Sequence, residues 1–107
     1  MTNPLGPFQP IWDAWDEVDG EMKRKPLTHF REAVRIQFDE LDAHLANGKR
    51  DAAAREVVDV ISIALNCLRN LGYQPDEIAD IARARAENRM RGQAAEILDS
   101  YQKRYGI

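Results

Sequence analysis

A chain of 107 residues with 15 basic and 18 acidic side chains has a formal net charge of −3, which gives no field to draw it to nucleic acid or an anionic membrane. At this length it is one small domain, expected to bury roughly 60–70% of the surface its unfolded chain exposes. The single cysteine, Cys67, excludes an internal disulfide and reads as a core residue of a reducing compartment. MTNPLGPFQP lacks a basic head followed by an apolar stretch, and no run approaches the roughly 18 apolar residues of a spanning helix, so the expected location is the cytoplasm.

Four of the five prolines fall in the first 26 residues, leaving the rest of the chain to form helices with little interruption. The expected fold is all-α, a bundle of four to five helices. Residues 1–10, with three prolines and a glycine, read as an extended arm preceding a single helical domain over 11–107. A short helix follows, with Ile11, Trp15 and Val18 on one side, weakened by Gly20 and stopped at Pro26. Thr28 is placed to cap a second helix whose apolar residues Phe30, Val34, Phe38, Leu41 and Leu45 recur at spacings of three and four until Asn47-Gly48.

Asp51 is placed to cap a third helix that runs through Leu71 and closes at Gly72. Val57, Val60, Ile61, Ala64, Leu68 and Leu71 make one face of it, and Val58 and Leu65 widen the apolar surface, which implies burial on more than one side. In Gln74-Pro75-Asp76-Glu77, proline and acids suit the first turn of a fourth helix reaching about Met90. After Arg91-Gly92, a last amphipathic piece uses Ala95, Leu98 and Tyr101 or Tyr105.

The acids on the two central helices pose the functional question, because a carboxylate beside a buried surface needs an outward geometry or a cation. At about 100° per residue, Glu56, Asp59, Ile63, Asn66 and Asn70 share one edge of the third helix, and Gln37, Glu40 and His44 share one edge of the second. Asp39 and Asp42 project away and read as solvated. A loop of about three residues favours an antiparallel hairpin in which the two polar edges meet. Glu40, Glu56, Asp59 and the amide oxygen of Gln37 would then offer the hard oxygen ligands that Mg²⁺ takes. An ordinary amphipathic hairpin, with Glu56 paired to Arg55 or Lys49 in solvent, accounts for the same spacing.

Residues 27–91 resemble the MazG-like, all-α nucleoside triphosphate pyrophosphohydrolases, relatives of the dimeric dUTPases and of phosphoribosyl-ATP pyrophosphatase. The resemblance rests on Gln37-Phe-Asp-Glu40-Leu41, Glu56-Val-Val-Asp59, Leu71-Gly72 and Asn88-Arg89. It implies a Mg²⁺-dependent enzyme, with Mn²⁺ as a substitute, that releases nucleoside monophosphate and pyrophosphate and works as a homodimer or tetramer. Carried over by position, it implies Gln37, Glu40, Glu56 and Asp59 as metal ligands, Glu40 and Glu56 as the catalytic pair, and Asn88, Arg89 and Arg85 as phosphate contacts. Two positions depart from the pattern: Gln37 replaces a glutamate, and Ala84 replaces the lysine expected four residues before Asn88. They keep open a second reading, a catalytically weakened or inactive helical interaction or regulatory module.

Arg83, Arg85, Arg89 and Arg91 form the one dense basic cluster, suited to phosphate oxygens or to a solvated helix face. Trp12 and Trp15 suit core, subunit contact or stacking on a nucleobase. His44 shares the Gln37/Glu40 edge, and His29 lies near a helix start. No glycine-rich phosphate loop, cysteine pair or Ser/His/acid arrangement is readable.

Overall fold

The computed structural model describes residues 3–107, and among them every regular element is helical. The first two residues of the expected arm lie outside that range. The arm is not extended from residue 6 onward: Gly6–Phe8 form a 3₁₀ turn that runs into helix α1 (Gln9–Ala14). Pro7 and Pro10 sit in the first turns of these elements, where a missing N–H costs nothing, so proline here starts helix instead of preventing it.

A second 3₁₀ turn, Trp15–Val18, separates α1 from α2 (Asp19–Arg24). It rotates the following side chains off the stripe that an unbroken helix would have formed. Trp12 and Met22 are consequently the buried residues of this segment, and Trp15, expected on the apolar side with Ile11 and Val18, is 38% exposed.

The body of the fold is the antiparallel pair α3 (Leu27–Ala46) and α4 (Arg50–Asn70). Neither contains glycine or proline, and most positions are good helix formers. Pro26, in extended conformation, precedes α3, and Thr28 lies inside the helix and makes no capping bond. Lys49 occupies the corresponding position before α4, leaving Asp51 in the first turn to favour the helix dipole and not to cap it. Both helices close in the same way. Gly48 at φ +70° lets Lys49 N–H reach the His44 carbonyl, and Gly72 at φ +96° lets Tyr73 N–H reach the Leu68 carbonyl.

Helix α5 (Pro75–Arg85) starts with a reciprocal cap in which Glu77 accepts from the Gln74 N–H at 3.0 Å. It ends in a π-helical turn, Ala86–Met90, and α6 (Ala94–Tyr105) follows Gly92. The expected helix to Met90 is therefore continuous in direction but changes its hydrogen bonding in the last turn.

The core is small. Trp12, Leu65 and Ile78 pack together, flanked by Leu5, Ile11, Ile61 and Leu68. The α4 face expected to be buried is only partly so. Ala53, Leu65, Asn66 and Arg69 are its buried residues, while Val57, Val58, Ala64 and Leu71 stay exposed. Ile36, Phe38 and Leu45 are likewise exposed on α3, as are Leu98, Tyr101 and Tyr105 on α6. The radius of gyration, 15.9 Å, exceeds the roughly 13 Å of a compact chain of this length, consistent with a C-terminal portion that covers little of the hairpin. No helix among the described residues is long and apolar enough to cross a membrane.

Candidate functional site

The polar edges of α3 and α4 face each other. Gln37, Glu40 and His44 rise along α3 at intervals of three and four residues, and the antiparallel run of α4 sets Glu56 opposite the upper two. His44 Nε2 lies 3.3 Å from Glu56 Oε1, and Glu56 keeps only 14% of its side-chain exposure. Glu40 comes within hydrogen-bonding reach of Glu56. That contact, the charge of Glu56, desolvation and the nearby charge of Asp59 hold the Glu40 carboxyl above its ordinary range, and His44 opposes the effect. Two carboxylates this close favour sharing a proton or a cation over joint ionisation. Among the described residues, no lysine or arginine pairs with Glu40, Glu56 or Asp59. Arg55 and Lys49, the simple solvent partners for Glu56, do not engage it; His44 does.

Below this cluster opens a cleft of about 360 Å³, within the roughly 300–1,000 Å³ range of small-molecule sites. Asp59 and Gln37 belong to its lining, together with Ser62, Ile63 and Asn66 from α4 and Phe30, Ala33 and His29 from α3. Trp15 and Met22 close it from the N-terminal segment. Asn66 is 4% exposed, and Gln37 Oε1 is buried without a hydrogen-bond partner. A buried acceptor left unpaired typically costs about 1–3 kcal/mol and calls for an explanation.

The wall formed by Trp15 and Met22 is fastened by a residue that helical patterning did not single out. Arg69 is 1% exposed; its Nη1 donates to Asp16 and Asp19 at 2.8 Å each, and its Nη2 donates to the Trp12 carbonyl at 2.6 Å. The guanidinium also lies 3.8 Å from the Trp12 ring centroid. Asn70 adds bonds to the Met22 and Lys25 carbonyls at 3.0 and 2.8 Å. The signal was present in the sequence as an arginine on the Leu65 stripe and as acids spaced three apart at 16 and 19. Such a pair requires a contact across some fifty residues, which periodicity does not report.

The basic residues expected at phosphate lie elsewhere. Arg85 and Asn88 are exposed at the end of α5 and in its π-helical turn. Arg89 lines a separate cavity of about 170 Å³ with Ile97, Tyr101 and Arg104, which shares no residue with the cleft. Arg83 and Arg91 are occupied by Asp80 and Glu87. Within one protomer, Glu40, Glu56, Asp59 and Gln37 are brought together and Arg85, Asn88 and Arg89 do not join them. Cys67, expected in the core, is half-buried on the opposite, apolar side of the hairpin.

The donor set is chemically suited to a hard divalent cation: carboxylate oxygens on adjacent helices, one of them protonated more readily than usual, with no basic side chain neutralising them. Among the described residues, however, no three His, Cys, Asp or Glu side chains are already gathered in a metal-ligating arrangement. No family model, curated protein or solved structure matches the chain, so its function has to be read from these side chains.

Proposed function

We propose that the protein is a Mg²⁺-dependent nucleoside triphosphate pyrophosphohydrolase of the MazG-like kind, yielding nucleoside monophosphate and pyrophosphate. The observation that carries the reading is the carboxylate pair Glu40/Glu56, held together on adjacent helices without a lysine or arginine, at the mouth of a cleft of ligand size. Glu40, Glu56 and Asp59 would hold Mg²⁺, or Mn²⁺ in its place. When bound there, the cation would supply charge neutralisation of the phosphates and a more acidic water. Glu40 and Glu56 can accept a proton from water, because the carboxyl of Glu40 retains protons more readily than an isolated glutamate. His44, 3.3 Å from Glu56, orients that carboxylate and can take up or return a proton at Nε2. The cleft orients the remainder of the nucleotide.

The exposed apolar surface of Ile36, Phe38, Leu45, Val57 and Val58 supports assembly as a homodimer or tetramer. Such an assembly offers the route by which Arg85, Asn88 or Arg89 could reach phosphate bound at a neighbouring protomer. Light scattering at micromolar concentration should return a multiple of the 12.2 kDa chain mass.

A second reading, a helical interaction or regulatory module without turnover, draws on the missing three-residue ligand arrangement and on the distance of Arg89 from the cleft. Incubation with a panel of nucleoside triphosphates and release of pyrophosphate separates the two. Release that requires Mg²⁺ and disappears in Glu56→Gln supports the enzyme, whereas no release from any nucleotide at saturating Mg²⁺ supports the module.

A further inference from the structure

We propose that Gln37 is a reader of the ligand's ring and not a member of the metal set, and that the cleft takes a nucleobase-like heteroaromatic ring with an N–H donor on its edge. The inference deepens the nucleotide reading and rests on it for the class of ring; the geometry concerns the cleft alone.

Three observations converge on the same space. The first is the orphaned acceptor: Gln37 Oε1 is buried, has no donor, and belongs to a residue that lines the cleft. Nothing fixes the amide at that oxygen, and the terminal torsion of a glutamine is broad and soft, so a modest rotation presents the oxygen to an occupant. A ligand N–H would satisfy an acceptor that the protein leaves empty, and a ligand without one would keep the desolvation penalty in place. The second is the wall. Trp15 is 38% exposed at the cleft although Trp12, three residues earlier, is fully packed against Arg69. A large aromatic surface kept open beside buried Phe30 offers a stacking partner for a planar ring. The third is Asn66, 4% exposed on the opposite helix, whose amide carries both donor and acceptor capacity into the same lining.

The alternative position for Gln37, beside the metal, is the weaker fit. It contributes no charge, and its oxygen lies in the cleft lining, whereas the carboxylate contact involves Glu40, Glu56 and His44 one and two turns further along α3. A glutamate at 37 would place a charge where the buried oxygen now sits, next to Asp59 in the same lining, and would repel it. An amide at this position keeps the cleft neutral enough to accept an uncharged base edge.

The test uses nucleosides, which lack phosphate, with the full-length protein in chelator, so binding is measured apart from metal and from hydrolysis. Matched pairs differ only in the edge donor: adenosine against purine riboside, cytidine against pyrimidin-2-one riboside, uridine against 3-methyluridine. Binding is followed through the indole resonance of Trp15 and the side-chain amide resonances of Gln37 and Asn66. At least one donor-bearing nucleoside should bind roughly tenfold more tightly than its donor-less partner. Gln37→Leu should erase that ratio while the ring still binds, and Trp15→Ala should weaken both members of the pair. The wild-type comparison stands even where a variant does not fold. Equal affinity within every pair, no binding of any nucleoside at millimolar concentration, or Gln37→Glu tightening Mg²⁺ without loss of nucleoside binding would each overturn the assignment. Mg²⁺-dependent pyrophosphate release with equal nucleoside affinities would overturn it and leave the enzyme reading standing; selective nucleoside binding without pyrophosphate release would do the reverse.

Discussion

Helix α4 carries a polar cluster toward each end, and the two are built on opposite principles. Toward its C-terminus, Arg69 is almost completely buried and answered by two acids, a carbonyl and an aromatic face, with only its Nε left without a partner. Nearer its N-terminus, Glu56 is joined by another glutamate and one histidine, and no lysine or arginine answers either acid. A charge surrounded by its complements holds a structure together. Like charges left in contact cost stability and are retained where something else is to be bound. The same helix therefore shows which polar residues serve the fold and which await a ligand.

Breaking the Arg69 end should produce the largest effect on stability. Arg69→Ala leaves the Trp12 carbonyl without its donor, removes the stacked guanidinium and releases Asp16 and Asp19. A loss of about 2–4 kcal/mol is expected, near the low end for a broken buried pair because both acids retain solvent. Arg69→Lys keeps the charge but cannot supply the fork, and should recover only part of it. Urea unfolding of the two variants checks the order; equal stability of Arg69→Ala and wild type would remove the clamp.

The opposite end should respond with the opposite sign. Glu56→Gln and Asp59→Asn are expected to lower Mg²⁺-dependent turnover by at least about 100-fold, the upper range for losing even a supporting group at a metal site. In chelator, the same variants should unfold at equal or higher temperature than wild type, because clustered negative charge has been reduced. Parallel rate measurements and thermal melts decide it, and wild-type turnover in both would leave Glu40 and Glu56 as a structural oddity.

The hairpin and its edges were legible because period 3.6 fixes which residues share a side of a helix. Gln37, Glu40 and His44 lie on one edge of α3, and Glu56, Asp59, Ile63, Asn66 and Asn70 lie on one edge of α4. The structure sets these edges beside each other, with Asn70 turned to hold the N-terminal segment. Periodicity does not report which face of a doubly apolar helix finds a partner. Val57 and Leu71 were expected inside and are exposed, while Leu65 and Arg69 are inside. The exchange of Trp15 for Trp12 came from a four-residue 3₁₀ turn, a change of pitch that leaves no compositional mark. Thr28 and Asp51 failed as caps for a related reason: Pro26 and Lys49 set the helix starts one or two residues earlier than the side chains required.

The finest test of the contrast is pH, with metal removed. Arg69 first, and then Lys23, hold the Asp19 carboxyl below its ordinary range, so its contribution is present above the unfolded value, roughly pH 3.9, and is lost as pH falls through the lower folded value. Glu40 is shifted upward, chiefly by Glu56, so the native state holds the extra proton. Its stabilising contribution is full below the unfolded value, roughly pH 4.3, and declines as pH rises through the higher folded one. The two ends of α4 thus tilt the stability profile in opposite directions on either side of about pH 4. Urea unfolding of wild type and Glu40→Gln across pH 4–7 isolates the second slope. The variant should gain on wild type as pH rises through that window, and Mg²⁺ should narrow the gap by compensating the charge in wild type. A difference that stays flat with pH would mean that Glu40 and Glu56 ionise independently, and that the acid end of the helix is no more strained than the arginine end.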